Sequence, residues 1–335
     1  MYDSKTHHYI YAGHGMNFPF MERSFLSIVK EIEHAITLGK TTVILSNSSE
    51  RLSVNIRKIQ RIADHFTDST IKFVTLTGSI DGKEVYDLMF EQFGWKNKME
   101  VKYTPIFEIN AARQLSSIPT TQYDIKIKEK LFLSFNRQAK LHRFDLLYNI
   151  LKNNLFDKSF FSFEGISIHE VFNDLNYNKS NYTDISIVLE KLPIRLNITE
   201  TRTNPTNIIL EDLHYFKESY FSVVTETIFN TFVKGEYSYK FFSEKIFKPI
   251  SCKQPFILMA WPGALNELRN FGYKTFFPYI NEEYDNITND KERHGAIIQE
   301  IIRLSKLTDD EWLVWQKNVK DIVEHNYQIL LSRYD

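Results

Sequence analysis

The chain has 335 residues and a formal net charge of −1, with 41 Lys and Arg against 42 Asp and Glu, so no global field draws it to nucleic acid or to an anionic membrane. Hydrophobic residues make up 43% and charged residues 25%, a globular and not a disordered composition, and the length exceeds one ordinary hydrophobic core, which predicts two domains. The single cysteine, Cys252, excludes an internal disulfide framework and fits a reducing compartment, and no run approaches the roughly 18 apolar residues of a membrane span.

The N-terminus, "MYDSKTHHYIYAGHG", lacks the basic start and apolar stretch of a signal peptide, so the expected location is cytoplasmic. "HHYIYAG" then reads as a strand, "FMERSFLSIVKEIEHAITLG" as a helix closed by Gly39, and "TTVILSN" as a strand. "SVNIRKIQRIADHF" is a helix, "IKFVTLTG" a strand and "EVYDLMFEQFGWKN" another helix. Strands alternating with helices predict a parallel, doubly wound α/β sheet. From Tyr103 to Lys130 the pattern weakens into a Ser-, Thr- and Pro-containing stretch that reads as the connection between domains.

The second half begins with "KLFLSFNRQAKLHRFDLLYNILKNNLF", a strand, a polar turn and a long amphipathic helix, and "KSFFSFEG" supplies the next strand. An Asn-rich insertion follows and carries no assignable pattern. "SYFSVVTET" and "QPFILMAWPG" are further strands, and the tail is two helices, with Thr308 the N-cap of the second. The expected organisation is a Rossmann-like domain over residues 1–125, a second over 126–310, and a C-terminal helix over 311–335 packing back on the first domain. Two such units in tandem place a central cleft between two sets of strand ends, where these folds bind ligands.

Three stretches of the second half carry chemistry. In "SFNRQAKLHR", Asn136, Arg137, Lys140 and His142 follow a strand and open a helix, which makes either an anion site or a solvated basic first turn. In "SVVTETIF", Glu226 ends an apolar strand, where it accepts from sugar hydroxyls or caps the following turn. In "FFSEKIFKPISCKQPF", Ser243 is the N-cap and Glu244 and Lys245 lie in the first helical turn. A lysine there opposes the helix dipole, a penalty that a bound anion cancels, and Pro249 lacks the N–H that would bond to the carbonyl of Lys245.

These blocks resemble the sugar-nucleotide half of the α-1,3-fucosyltransferases and related GT-B glycosyltransferases. In that family a strand ending in an acid precedes a Tyr/Phe-x-Thr/Ser-Glu-Lys block and then a proline-led strand. "SVVTETIF", "FFSEKIF" and "QPFILMAWPG" follow this order, and the set is also similar to glycosyltransferases of tailed phages and large DNA viruses. The resemblance covers about Leu131 to Arg303. It implies a GT-B fold of two Rossmann-like domains and a nucleoside-diphosphate-sugar donor, UDP- or GDP-linked. Arg137 and Lys245 would then hold the diphosphate, Glu244 the ribose and Glu226 the transferred sugar, with Asn136 and Ser243 beside them. The family's "ENS" stands here as "ETI", and the first half matches no acceptor-domain motif.

The implied reaction is a transfer that requires no cofactor and no metal, in which cationic groups stabilise the leaving diphosphate and a base deprotonates the acceptor hydroxyl. An inverting enzyme needs that base on the first domain, and His14, Glu22 and Glu50 are the candidates. The acceptor is a glycan, a lipid, a protein or a modified DNA base. For a phage-type enzyme acting on a hydroxymethylated base, the basic run from Lys126 to Arg143 would contribute to a positive face. A non-catalytic sugar-nucleotide-binding protein is the remaining alternative. No zinc spacing, P-loop or G-x-S-x-G motif is present, and His7 with His8 and His169 with Glu170 lack partners in any catalytic motif.

Overall fold

A computed structural model describes residues 5–11, 25–47, 56–67, 70–116, 122–166, 168–175, 184–196, 212–230 and 240–334. The chain divides into two units, Met1–Phe107 with Phe232–Phe242, and Glu108–Thr231 with Ser243–Asp335. Each is built on a four-stranded, wholly parallel sheet with alternating helices.

The first unit runs β1 (His7–Tyr11), α1 (Phe25–Thr37), β2 (Thr42–Asn47), α2 (Ile56–His65), β3 (Lys72–Thr77), α3 (Gly82–Phe93) and β4 (Glu100–Tyr103), and α4 (Ile106–Leu115) starts at its end. The strands lie in the order β1-β2-β3-β4. Val43, Ile44 and Leu45 are all fully buried, so β2 is covered on both faces, as the continuous apolar run of a parallel strand requires. Ile28 and Ile32 of α1 and Ile56, Ile59 and Ile62 of α2 are equally buried, three or four residues apart on one helical face.

The second unit runs β5 (Lys130–Gln138), α5 (Leu141–Lys152), β6 (Ser159–Ile166), α6 (Ile168–Leu175), α7 (Ser186–Leu189), α8 (Leu213–Lys217), β7 (Ser219–Thr225), α9 (Glu244–Ser251), β8 (Phe256–Met259) and α10 (Ala264–Asn270). A 3-10 turn at Glu283–Asn286, α11 (Asp290–Leu304) and α12 (Asp309–Leu331) complete it. Its strand order, β6-β5-β7-β8, reverses at β5, because the chain moves outward to β6 and then returns to the other side of β5 for β7. Such a reversal leaves a crevice between the carboxyl ends of the two strands that flank it.

Two boundaries differ from those read in the sequence. β4 closes at Tyr103, regular structure resumes at once in α4, and the change of unit falls inside that helix, between Phe107 and Glu108, rather than at residue 125. Pro105, read there as a breaker, stands just before the first helical residue of α4, where a missing N–H costs the helix nothing. The C-terminal helix is part of the second unit. Trp312 stacks on Tyr220 with ring centroids 4.0 Å apart, Gln316 donates to the carbonyl of Lys126 at 2.9 Å, and Arg333 donates to Glu108 at 2.8 Å. Thr308 and Glu311 cap this helix reciprocally in a capping box. No described helix is long and apolar enough to cross a membrane.

Candidate functional site

At the crevice between β5 and β7 the second unit holds a cavity of about 340 Å³. Its walls come from the ends of those strands, from β6 and from α9, and Asn136, Arg137, Glu244 and Lys245 are among the lining residues. Five cationic side chains reach it, Arg137, Arg143, Arg195, Lys245 and Lys248, against two acids, Glu164 and Glu244. Leu133, Phe135, Phe216 and Pro249 form an apolar side next to this charged one.

The strand ends are held together by a buried polar chain. Thr225 Oγ1 on β7 donates to Asn136 Oδ1 at 2.6 Å, Asn136 Nδ2 donates to Ser134 Oγ at 3.0 Å, and Ser134 Oγ donates to the Val223 carbonyl at 3.0 Å. The Asn136 amide N–H reaches Ser162 Oγ of β6 at 3.1 Å. Asn136 therefore ties three strands at the floor of the crevice. Beyond it the register slips: Asn136 faces Phe163 and Gln138 faces Ile166, so Glu164 and Gly165 of β6 stand against Arg137 alone. Gly165 has φ +74°, a left-handed conformation that suits glycine at a bulge. The bulge breaks the pairing where Arg137 and Glu164 both line the cavity. The Arg137 guanidinium has no hydrogen-bond or ion partner among the described residues.

Arg143 was not singled out in the sequence, and it is the deepest cation of the pocket, 3% exposed. It lies on the buried face of α5 beside Phe144, Leu146 and Leu147, and a cation inside an apolar helical stripe is the signal that marks it. One terminal nitrogen donates to the Gln138 carbonyl at 3.0 Å and the other to the Thr225 carbonyl at 3.1 Å. Its Nε is buried without a partner among the described residues. Burial brings its pKa down to about 10, so it still carries its charge at neutral pH.

Ser243 caps α9, accepting from the Lys245 amide, as its sequence position predicts. The Lys245 ammonium donates to Glu244 at 3.0 Å, to Ser243 Oγ at 3.1 Å and to Thr227 Oγ1 at 3.4 Å. Burial works against ionisation of Glu244, but the charges of Lys245 and Lys248 outweigh it and hold its carboxyl below the usual carboxylate range.

Glu226 is fully buried and does not line the cavity. Its carboxylate accepts from the Ser243 hydroxyl at 2.6 Å, from the Ser243 amide at 3.2 Å and from the Thr227 amide at 3.1 Å. Burial raises its pKa. In this arrangement Glu226 and Ser243 stand behind Lys245 and place it.

The basic helix start read around residues 136 to 142 takes a different form. Asn136 and Arg137 belong to β5, and only Lys140 and His142 sit at the start of α5. Lys140 Nζ donates to the Thr227 carbonyl at 2.9 Å, and the buried His142 ring bonds to the Glu226 carbonyl at 3.1 Å. The wider basic run is also engaged: Lys126 pairs with Glu218, and Lys128 and Lys130 donate to the carbonyls of Lys217 and Asp157. His14, Glu22 and Glu50 lie outside the described residues.

No protein-family model and no curated protein matches the chain. Among solved structures it is similar to an α,α-trehalose 6-phosphate synthase from Burkholderia multivorans, with a TM-score of 0.44 and 10% identity over 97% of this chain and 68% of that one. It is similar to a glycosyltransferase from Rickettsia africae, with a TM-score of 0.40 and 12% identity over 96% and 81% of the two chains. A trehalose-6-phosphate synthase studied for glycosyltransfer with retention gives a TM-score of 0.41 and 12% identity, over 91% of this chain and 76% of that one.

Among the described residues no group of three or more His, Cys, Asp or Glu side chains is placed to hold a metal ion. Cys252 is half-buried against the cluster of Leu133, Phe160 and Phe216, and desolvation there pushes its thiol up to about 12, which makes it a poor nucleophile. His8 pairs with Glu31 at 2.9 Å, and His169 and Glu170 are solvated surface neighbours.

Proposed function

We propose that the protein is a glycosyltransferase that moves a sugar from a nucleoside-diphosphate sugar, UDP- or GDP-linked, to an acceptor hydroxyl, and that the second unit holds the donor. The observation that carries this reading is the cationic pocket at the sheet's reversal, with the Arg137 guanidinium unpartnered and the buried Arg143 Nε unsatisfied among the described residues. Unpartnered buried donors are costly in an empty apolar site and are met by an anion with several acceptor oxygens. The leaving diphosphate is such an anion.

Charge that develops on it as the glycosidic bond breaks is stabilised by Arg137, Arg143 and Lys245, which stay cationic throughout and need no metal between them. Lys245 is held for this work by Ser243 and Glu244. The ionised Glu244 accepts from the ribose hydroxyls, and the apolar side formed by Phe135 and Phe216 takes the planar base. Glu226 orders the helix start rather than touching the sugar. His14, Glu22 and Glu50 are the candidates for the base that takes the acceptor's proton. The acceptor is a hydroxyl of a glycan, a lipid or a protein, or of a hydroxymethylated DNA base.

The test is a thermal-shift screen of UDP-, GDP-, CMP- and TDP-sugars, since a ligand that binds the native state raises its midpoint. Calorimetry then follows with the nucleotide that binds. Lys245→Ala and Arg137→Ala should each weaken it at least tenfold while the protein stays folded. Unchanged affinity in both variants would remove the assignment, and binding without transfer to any acceptor would make the protein a non-catalytic binder.

A further inference from the structure

Thr225 and Thr227 line the pocket, and the stretch from Thr225 to Phe229 has an unusual set of neighbours. Four of its carbonyl oxygens are each taken by a basic side chain from another element. Arg143 donates to the carbonyls of Thr225 at 3.1 Å and Glu226 at 3.4 Å. His142 Nε2 reaches the Glu226 carbonyl at 3.1 Å, and since a carbonyl only accepts, that nitrogen carries the proton. Lys140 Nζ donates to the Thr227 carbonyl at 2.9 Å, and Arg293 donates to the carbonyl of Phe229.

The grip extends to side chains. The Arg293 guanidinium lies 4.3 Å from the centroid of the Phe229 ring, and His142 stacks on that ring at 5.2 Å and 17°. Arg293 is itself only 1% exposed and bonds to the carbonyls of Ala260 and Ile287 and to Asp290. It thereby fastens Phe229 to the end of β8 and the start of α11. A loop that only connected two elements would not require three cations and a buried imidazole behind its carbonyls. This one carries Thr227, whose hydroxyl is one of three acceptors of the Lys245 ammonium.

We propose that Lys140 and Arg293 are positioning residues of the pocket, which hold the carbonyls of Thr227 and Phe229 so that Thr227 keeps Lys245 aimed at the ligand's diphosphate. Neither lines the cavity, and both act through the loop. The affinity arm of the test rests on the donor reading given above, whereas the loop-ordering arm does not.

Lys140→Met keeps the side chain's length and removes its charge and donors, and Lys140→Arg restores a cationic donor. Arg293→Lys is the second variant, with a charge but no fork. In the ligand-free full chain, hydrogen exchange of the amides at 226–230 should be at least tenfold faster in Lys140→Met and in Arg293→Lys, and near wild type in Lys140→Arg. UDP or GDP should bind at least tenfold more weakly to Lys140→Met while uridine or guanosine binds as before, a split that a general loss of packing does not produce. Unchanged exchange in Lys140→Met overturns the proposal. So does faster exchange with unaltered diphosphate affinity in a protein whose wild type binds it. A wild type that binds neither diphosphate removes the donor reading and leaves loop ordering to be judged by exchange alone.

Discussion

Ser243 Oγ donates to Glu226 Oε2 at 2.6 Å while the Ser243 amide donates to the other oxygen of the same carboxylate at 3.2 Å. The cap of α9 and the acid at the end of β7 are thus one buried unit. Ser243→Ala removes both the helix cap and a partner of a fully buried carboxylate. The first loss costs about 1 kcal/mol and the second about 1–3 kcal/mol. Urea unfolding should show a loss of at least about 2 kcal/mol. A loss within about 0.5 kcal/mol, the range of an ordinary surface change, would show that the link is not made.

Arg143→Met should weaken binding of the diphosphate identified by the screen at least tenfold. It should also destabilise the fold, because the carbonyls of Gln138 and Thr225 lose their donors. Each unsatisfied buried carbonyl costs about 1 kcal/mol or more, so a total near 2 kcal/mol is expected. Arg143→Lys should recover less than half of the lost affinity, since an ammonium keeps the charge but not the planar fork that spans two carbonyls. Calorimetry alongside denaturation separates the effects, and wild-type affinity in Arg143→Met would exclude this residue from the site.

The strands and most helices of both units are legible because burial imposes its period directly: Val43 to Leu45 and Phe256 to Met259 are unbroken apolar runs, and the isoleucines of α1 and α2 recur at helical spacing. β4 and α4 were hidden by the polar, proline-containing composition around Pro105. The site was half legible. Ser243, Glu244 and Lys245 form a local helix start, and local rules place them correctly. Arg137 instead lies on β5, which runs on to Gln138 through a break in register against β6 that no local pattern shows. The Glu226–Ser243 bond joins groups 17 residues apart and the Lys140–Thr227 bond groups 87 apart, so both exist only through the tertiary fold.

Gly165→Ala tests that bulge. The added methyl group would meet only Leu192 Cδ1 at 3.9 Å, an ordinary contact, so the cost is backbone strain at φ +74° and not collision. A single alanine forced into the left-handed region costs about 1–2 kcal/mol. The expected result is that loss in urea unfolding together with weaker binding of the diphosphate, because relaxing the bulge shifts Arg137 and Glu164. If stability falls while affinity holds, the bulge shapes the sheet and not the pocket.

The pH dependence of stability should carry the mark of His294. Its ring is 7% exposed and its Nε2 lies 3.3 Å from the His142 carbonyl. Burial, with the Arg293 charge adding to it against the pull of that hydrogen bond, lowers its pKa from 6.5 to about 4. Above pH 6.5 the ring is neutral in both the folded and the unfolded chain and contributes no slope. Below it the unfolded chain takes up a proton that the folded chain refuses, so stability falls with falling pH until the folded group titrates near 4. One group in this window accounts for about 1.4 kcal/mol per pH unit, or roughly 2 kcal/mol between pH 6.5 and 5. His294→Gln keeps an N–H for the His142 carbonyl but does not titrate. Any advantage of the wild type at pH 7 should therefore shrink by about 2 kcal/mol at pH 5, measured by urea unfolding at both values. Parallel pH profiles for the two proteins would mean that His294 is not held neutral in the fold.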